Sequence, residues 1–344
     1  MKHTIKQVHH QARALMQQLE TASEQRPGEI KAWQDAYLTL MCDLLELPLF
    51  PETFLDNAHT TTAQGRACSP QVAAQCSAEF MRVQQFQRGI HRAIRDLGQP
   101  ERPLKLLYAG TGPLGSLVVP LLLLLQPRQV QVTFLDIHAD SLDRLTQLLT
   151  ALELTDFIDE IVHADALEWT PAADSRYDLI VSETMKALFE QEPQISIIRN
   201  LIRWLHPDGT LIPQSVDLSA HLVHSRTDAP TEQWLPLGVF FQLNRHSAQQ
   251  LAASTAPRIH GQLAIPTRQP PLQLALATDI QVYRDTWLTN NQCSLNLTRY
   301  HALNQWRRLD QIQFEYRWGS DPRFEFQCQG EPLHDHRLSP SSHA

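Results

Sequence analysis

A chain of 344 residues is long enough for about two domains with a substantial core, which excludes a small disulfide-stapled fold. Acidic side chains outnumber basic ones, 37 to 29, leaving a net charge of −8, so the surface field repels phosphate polymers and no nucleic-acid partner is expected. With 42% hydrophobic and 19% charged residues, the composition is that of a folded globular protein and not a disordered or fibrous one.

The opening residues Met1-Lys2-His3-Thr4 lack the apolar stretch of a signal peptide. Residues 1–100 read as a helical region. A break at Arg26-Pro27-Gly28 separates a first helix from a second that reaches Leu47, and the Thr- and Ala-rich stretch Asp56 to Arg66 reads as a mobile loop. Ser69-Pro70 is a helix start, with a hydroxyl to cap free amides and a ring that fixes the first helical residue. Val72, Cys76, Phe80, Val83, Phe86, Ile90 and Ile94 then recur at steps of three or four, the apolar face of one long helix.

Residues 101–214 change to short apolar runs alternating with helical stretches, the pattern of an open parallel α/β sheet. Strands are expected near Leu104–Ala109, Val130–Leu135, Ile161–His163, Asp178–Ser182 and Thr210–Ile212, with helices over 113–125, 139–152 and 191–205. The most apolar run, Leu117 to Leu125, contains Pro120 and falls short of the ~20 residues a bilayer requires, so no membrane partner is expected. In residues 215–330 the period becomes two: Val216, Leu218, Ala220 and Leu222, then Leu272, Leu274 and Leu276. Ile312, Phe314, Tyr316 and Trp318 face Phe324, Phe326 and Cys328 across the turn Gly319-Ser320-Asp321-Pro322. This alternation predicts an antiparallel β-rich sandwich or barrel, and residues 331–344 read as a loose tail.

The chemistry concentrates in the middle zone. The strand Leu106-Leu107-Tyr108-Ala109 runs into Gly110-Thr111-Gly112-Pro113-Leu114-Gly115, a G-x-G-x-x-G turn whose backbone a cofactor can approach closely. About twenty residues later the next strand ends in Asp136, where a carboxylate can accept from two ribose hydroxyls. Alone, this arrangement suits a nicotinamide dinucleotide as well as S-adenosyl-L-methionine (SAM). Further on come the acidic loop His163-Ala164-Asp165-Ala166-Leu167, a strand ending in Ser182-Glu183, and the turn His206-Pro207-Asp208-Gly209 before Ile212-Pro213.

This succession over about 104–213 resembles the class I SAM-dependent methyltransferase family, which implies a Rossmann-like sheet and SAM as cofactor. The resemblance makes Gly110, Thr111, Gly112 and Gly115 the turn under the methionine part, Asp136 the ribose ligand, and Asp165 with Ala166 the adenine contacts. Where the family has an acidic residue two positions before the first glycine, this chain has Tyr108.

The segment from Glu183 to Glu192, nine residues on, followed by a helix and a β-rich half, is similar in layout to the protein arginine methyltransferases. That family grips a substrate guanidinium with two glutamates at this spacing. A guanidinium is a planar cation with five donors, so two carboxylates can fix its plane and localise its charge. The resemblance implies Glu183 and Glu192 as catalytic residues, with Glu190 in reserve if the loop register differs. Upstream, Glu79-Phe80-Met81-Arg82 resembles the family's N-terminal lid helix, which makes Arg82 a ligand of the cofactor's carboxylate.

The family's Thr-His-Trp signature is missing, and no helical arm for dimerisation stands out; a homodimer is carried as the expected assembly. The expected activity is N-methylation of a guanidino nitrogen of arginine or a small arginine-like acceptor. The alternative is methylation of another small amine, carboxylate or hydroxyl; behind it stand a nicotinamide-dependent oxidoreductase and a non-catalytic binding subunit.

The sixteen histidines form no metal-binding spacing; His9-His10 and His334-Asp335-His336 read as solvated. Five scattered cysteines, Cys42, Cys68, Cys76, Cys293 and Cys328, form no C-x-x-C pair and read as buried thiols of a cytoplasmic protein. The seven tryptophans read as core or interface aromatics, with one or two candidates for the acceptor pocket.

Overall fold

The computed structural model describes residues 5–21, 26–49, 59–98, 101–223, 234–266, 273–289 and 291–333; residues 56–58, Leu272, the end of the chain from 334 on, and with it His334 and His336, lie outside them. Two helices come first, α1 (Ile5–Thr21) and α2 (Pro27–Leu45), the second opening on the proline. α1 buries Val8, Ala12 and Met16, and His9 Nδ1 lies 2.6 Å from the Leu152 carbonyl oxygen. His9 is thus a packing anchor and not a solvated residue, while its neighbour His10 is exposed.

Where the sequence reads as a mobile loop, residues 60–67 form a hairpin of β1 (Thr60–Thr62) and β2 (Gly65–Ala67). Thr62 Oγ1 donates to the Gly65 carbonyl at 2.9 Å and accepts from the Gln64 amide at 3.2 Å, closing the turn locally. Ser69 caps α3 (Pro70–Cys76) through the Val72 amide, as its spacing predicts. The apolar face beyond it is not carried by one helix: α4 (Phe80–Leu97) starts anew. Gln34 donates to the Ser77 carbonyl at 3.1 Å, occupying an acceptor that a continuous helix would use itself. The break is a tertiary effect to which periodicity is blind.

Next come β3 (Leu104–Ala109), α5 (Val119–Leu122), β4 (Val130–Asp136), α6 (Ala139–Ala151), β5 (Ile158–His163), β6 (Tyr177–Ser182), α7 (Gln194–Leu201) and β7 (Leu205–Ile212). The five strands form a parallel sheet in the order β5-β4-β3-β6-β7. Its central strands are apolar on both faces, with Leu106, Leu107, Val132, Phe134, Ile180 and Val181 fully buried, as helix-covered parallel strands require. α5 is much shorter than the helix expected over 113–125, because Gly110, Gly112 and Gly115 all take positive φ and hold the preceding stretch in turns. The His206–Gly209 turn is an excursion within β7: Tyr177 faces Leu205 while Leu179 already faces Thr210. The connection reverses direction between β3 and β6, which opens a crevice at the carboxyl ends of those strands.

The remainder is β8 (Ser215–Val223), β9 (Leu235–Asn244), α8 (Arg245–Ala253), β10 (His260–Ala264), β11 (Gln273–Tyr283), β12 (Thr286–Leu288), β13 (Arg299–Ala302), β14 (Trp306–Arg317) and β15 (Arg323–Pro332). Its strands pair antiparallel in two sheets, β12-β11-β8-β9 with β13 on β11, and β10-β14-β15. The predicted register holds: Ile312, Phe314 and Tyr316 lie opposite Cys328, Phe326 and Phe324. Phe240 stacks on Phe314 with ring centres 4.0 Å apart, joining the two sheets. The five cysteines are free, but only Cys293 is fully buried and the other four are half-buried. No helix among the described residues is long and apolar enough to cross a membrane.

Candidate active site

The crevice is a cavity of about 390 Å³. Its floor is the glycine turn after β3; its walls are the ends of β4 and β6 and the 165–166 loop, and it is covered by the β1–β2 hairpin, α3 and the start of α4. The stretch Ser294–Leu297, between β12 and β13, closes it from the C-terminal half. Of the residues singled out from the sequence, Arg82, Gly110, Thr111, Gly112, Asp136, Asp165, Ala166, Glu183 and Glu192 all line it. Gly115 and Glu190 do not. A Cβ on Gly115 would sit 2.5 Å from Val119 Cγ2 and 2.8 Å from Leu145 Cδ1, so its service is close packing of the turn against α6. Glu190 turns outward to Arg299 at 3.5 Å. Among the described residues no tryptophan lines the cavity, and Tyr108 does.

Gly110 needs to be glycine twice over. Its φ is +78°, and a Cβ there would lie 2.4 Å from Thr184 Cγ2. Asp136 is fixed by its neighbours: Oδ2 accepts from the Gly112 amide at 2.9 Å and Thr111 Oγ1 at 3.2 Å, and Oδ1 accepts from the His138 amide at 2.9 Å. His138 Nε2 lies 3.1 Å from Thr60 Oγ1, a contact that holds the hairpin over this end of the cavity. The Asp165 loop is fastened from outside by buried Asn200, whose Nδ2 donates to the Ala166 and Trp169 carbonyls at 3.0 and 2.8 Å.

Arg82 and Glu183 face each other as a direct ion pair, with side chains only 9% and 4% exposed. Arg82 also lies 3.8 Å from Glu79, whose Oε2 accepts from the Ser294 amide at 3.1 Å, so one charge chain ties lid helix, cavity wall and C-terminal half together. Glu183 Oε1 is buried and has no hydrogen-bond partner among the described residues. Such an atom is costly unless something polar meets it there. Burial, and then the neighbouring Glu183, push the Glu192 carboxyl up to about 7, against the pull of Lys186 and Arg82. Burial likewise pushes the Tyr108 phenol and the Cys68 and Cys76 thiols up, so at neutral pH none of the three is an anion or a nucleophile.

The Glu183–Glu192 loop is shaped by contacts that sequence reading misses. Gln194 accepts from the Thr184 amide and hydroxyl at 2.8 and 2.6 Å and donates to the Ser182 carbonyl at 3.0 Å, cross-bracing the loop's two ends. Leu188, Phe189 and Gln191 all take positive φ, a strain sustained by the Thr278 hydroxyl, which accepts from Leu188 N, and by the Pro322 carbonyl, which accepts from Gln191 N. Only His138, two residues after Asp136, carried a signal that sequence reading could have used.

These residues fit SAM. The glycine turn leaves backbone free to approach, Asp136 offers a positioned carboxylate, and the cavity size is that of a cofactor site. Residues 108–212 match a family model described as a methyltransferase domain. Among solved structures, the Trypanosoma brucei PRMT1 enzyme-prozyme heterotetrameric complex with AdoHcy is similar at TM-score 0.52 and 12% identity, covering 76% of this chain and 93% of that one; at this identity the likeness is one of fold. No curated protein matches the sequence. With a parallel sheet, a glycine turn at its switch point and a methyltransferase domain over residues 108–212, the protein is a SAM-dependent methyltransferase, and SAM is its cofactor.

Proposed function

We propose that the enzyme methylates a guanidino nitrogen of arginine or a small arginine-like compound. The observation that carries this reading is the pair of carboxylates in the cavity, Glu183 with an unpartnered oxygen and Glu192 with its carboxyl near neutrality. A guanidinium supplies the donors that Glu183 Oε1 lacks, and its positive charge favours the ionised form of Glu192. Bound SAM supplies a methyl group on a positively charged sulfonium. Glu183 and Glu192 fix the plane of the acceptor, and Arg82 fixes Glu183 while offering its remaining donors to the cofactor's carboxylate. A guanidinium nitrogen that gains a methyl must lose one proton, and the Glu192 carboxylate takes it.

In this reading Gly110, Thr111, Gly112 and Gly115 shape the turn beneath the methionine part, Asp136 binds the ribose, and Asp165 and Ala166 meet the adenine. Residues 1–100 act as the lid region, 101–214 as the SAM-binding domain and 215–330 as the domain closing the acceptor side. The five free cysteines support a cytoplasmic location. The similar trypanosomal protein forms a heterotetramer; for this chain we propose a homodimer, which sedimentation would reveal.

Incubation with methyl-labelled SAM and a panel of guanidino compounds, amines, carboxylates and alcohols, read by mass spectrometry, is expected to place label on a guanidino nitrogen. Label on an oxygen or a simple amine would overturn the reading. Gly110→Ala is expected to weaken S-adenosylhomocysteine binding in calorimetry by about tenfold or more, since strain of about 1–2 kcal/mol adds to the clash with Thr184.

A further inference from the structure

The acidic pair inside the cavity is matched by basic side chains at its mouth. Arg66 from β2, Lys186 from the loop after β6 and Arg299 from β13 line the cavity and are exposed at its rim. Two adjacent residues gather them. Gln191 accepts from the Arg66 amide at 2.7 Å through its carbonyl and from Lys186 Nζ at 3.2 Å through Oε1, while Arg299 Nη2 reaches Glu190 Oε2 at 3.5 Å. The gathering point is itself fixed, because Gln191 has positive φ and its amide is held by the Pro322 carbonyl.

Among the described residues the carboxylate paired with one of these cations is Glu190, on Arg299, while Lys186 also acts on the Glu192 carboxyl inside the cavity. Arg66 has no acidic partner among the described residues. Arg323, the first residue of β15 and next to the Pro322 that anchors Gln191, is already paired with Asp321 and Glu325. In a chain of net charge −8 this positive charge is local, and it lines the same cavity as Glu183 and Glu192.

One ligand must therefore satisfy opposite charges at its two ends. Resting on the guanidino reading above, we infer that the acceptor is a free guanidino acid, its cation held by Glu183 and Glu192 and its carboxylate held at the rim by Arg66 and Lys186, with Arg299 beside them. Guanidinium and ammonium donors at the rim recognise a carboxylate through charge-assisted hydrogen bonds. An arginine within a basic peptide would instead carry further positive charge into a positive field. Arg66, Lys186 and Arg299 are thus specificity-determining residues.

The test measures kcat/KM for L-arginine and the shorter ω-guanidino acids from guanidinoacetate upward, each against its carboxamide and against a blocked arginine peptide. Calorimetry on the protein loaded with S-adenosylhomocysteine runs alongside. At least one free acid is expected to exceed its amide by tenfold or more. That ratio should collapse toward one in Arg66→Gln and Lys186→Gln, return in Lys186→Arg, and shrink with added salt. Equal or better use of the amides or the peptide, with a ratio that the variants leave unmoved, overturns the inference while the guanidino reading stands. Failure to methylate or bind any guanidino compound overturns both.

Discussion

Glu183→Gln is expected to lower kcat/KM for a guanidino acceptor by about 10²–10³-fold, the scale of losing one oriented electrostatic partner in a closed site. It should also destabilise the fold by about 3–5 kcal/mol, as for any buried ion pair that loses one member. The reason is the direct pairing of two nearly inaccessible side chains, Arg82 on the lid helix and Glu183 at the end of β6. Glutamine keeps the shape but leaves the Arg82 charge with only Glu79, 3.8 Å away. The two effects separate in a double-mutant cycle. Arg82→Gln with Glu183→Gln removes both charges together, so stability should return close to that of the parent while methyl transfer stays lost. Denaturant melts of the four proteins read the first effect and acceptor kinetics the second. Equal stability in all four would show that the pair does not hold the lid.

The second large effect is a pH dependence centred on Glu192, whose carboxyl rises from 4.5 to about 7 through burial and then through Glu183. In the free enzyme the ionised form, the one that grips a cation, grows as pH rises through that value. kcat/KM is therefore expected to increase about tenfold between roughly pH 6 and pH 8, and Glu192→Gln should be slow and flat across the range. Stability carries the opposite sign. The folded protein keeps a proton that the unfolded chain releases, so this group costs nothing below about 4.5 and its penalty grows to about 3 kcal/mol near pH 7, constant above that. Melts of parent and Glu192→Gln should agree near pH 4.5 and diverge towards pH 8, with the variant the more stable. A parent whose stability advantage grows with pH would mean that Glu192 already has a cationic partner in the free enzyme.

Both effects rest on contacts between residues far apart in the chain. Periodicity and spacing located the five parallel strands, the glycine turn and Asp136 at the strand end, because a buried parallel strand must be apolar on both faces and a tight turn must hold glycines, both of which are local demands. The alternation in the C-terminal half even placed Ile312, Phe314 and Tyr316 opposite their cross-strand partners, since a period of two fixes which face is buried. The pairing of Arg82 with Glu183, by contrast, spans about a hundred residues of chain and accompanies a helix break after Cys76, at which Gln34 from another helix caps the Ser77 carbonyl. The same is true of the bracing of the Glu183–Glu192 loop by Gln194, Thr278 and Pro322, and of the gathering of Arg66, Lys186 and Arg299 about residues 190–191. Sequence alone determined the sheet and the cofactor turn, because backbone geometry and hydrophobic period act over a few residues; only the tertiary structure decided which charges meet in the cavity, because Coulomb pairing and burial depend on neighbours brought together from distant parts of the chain.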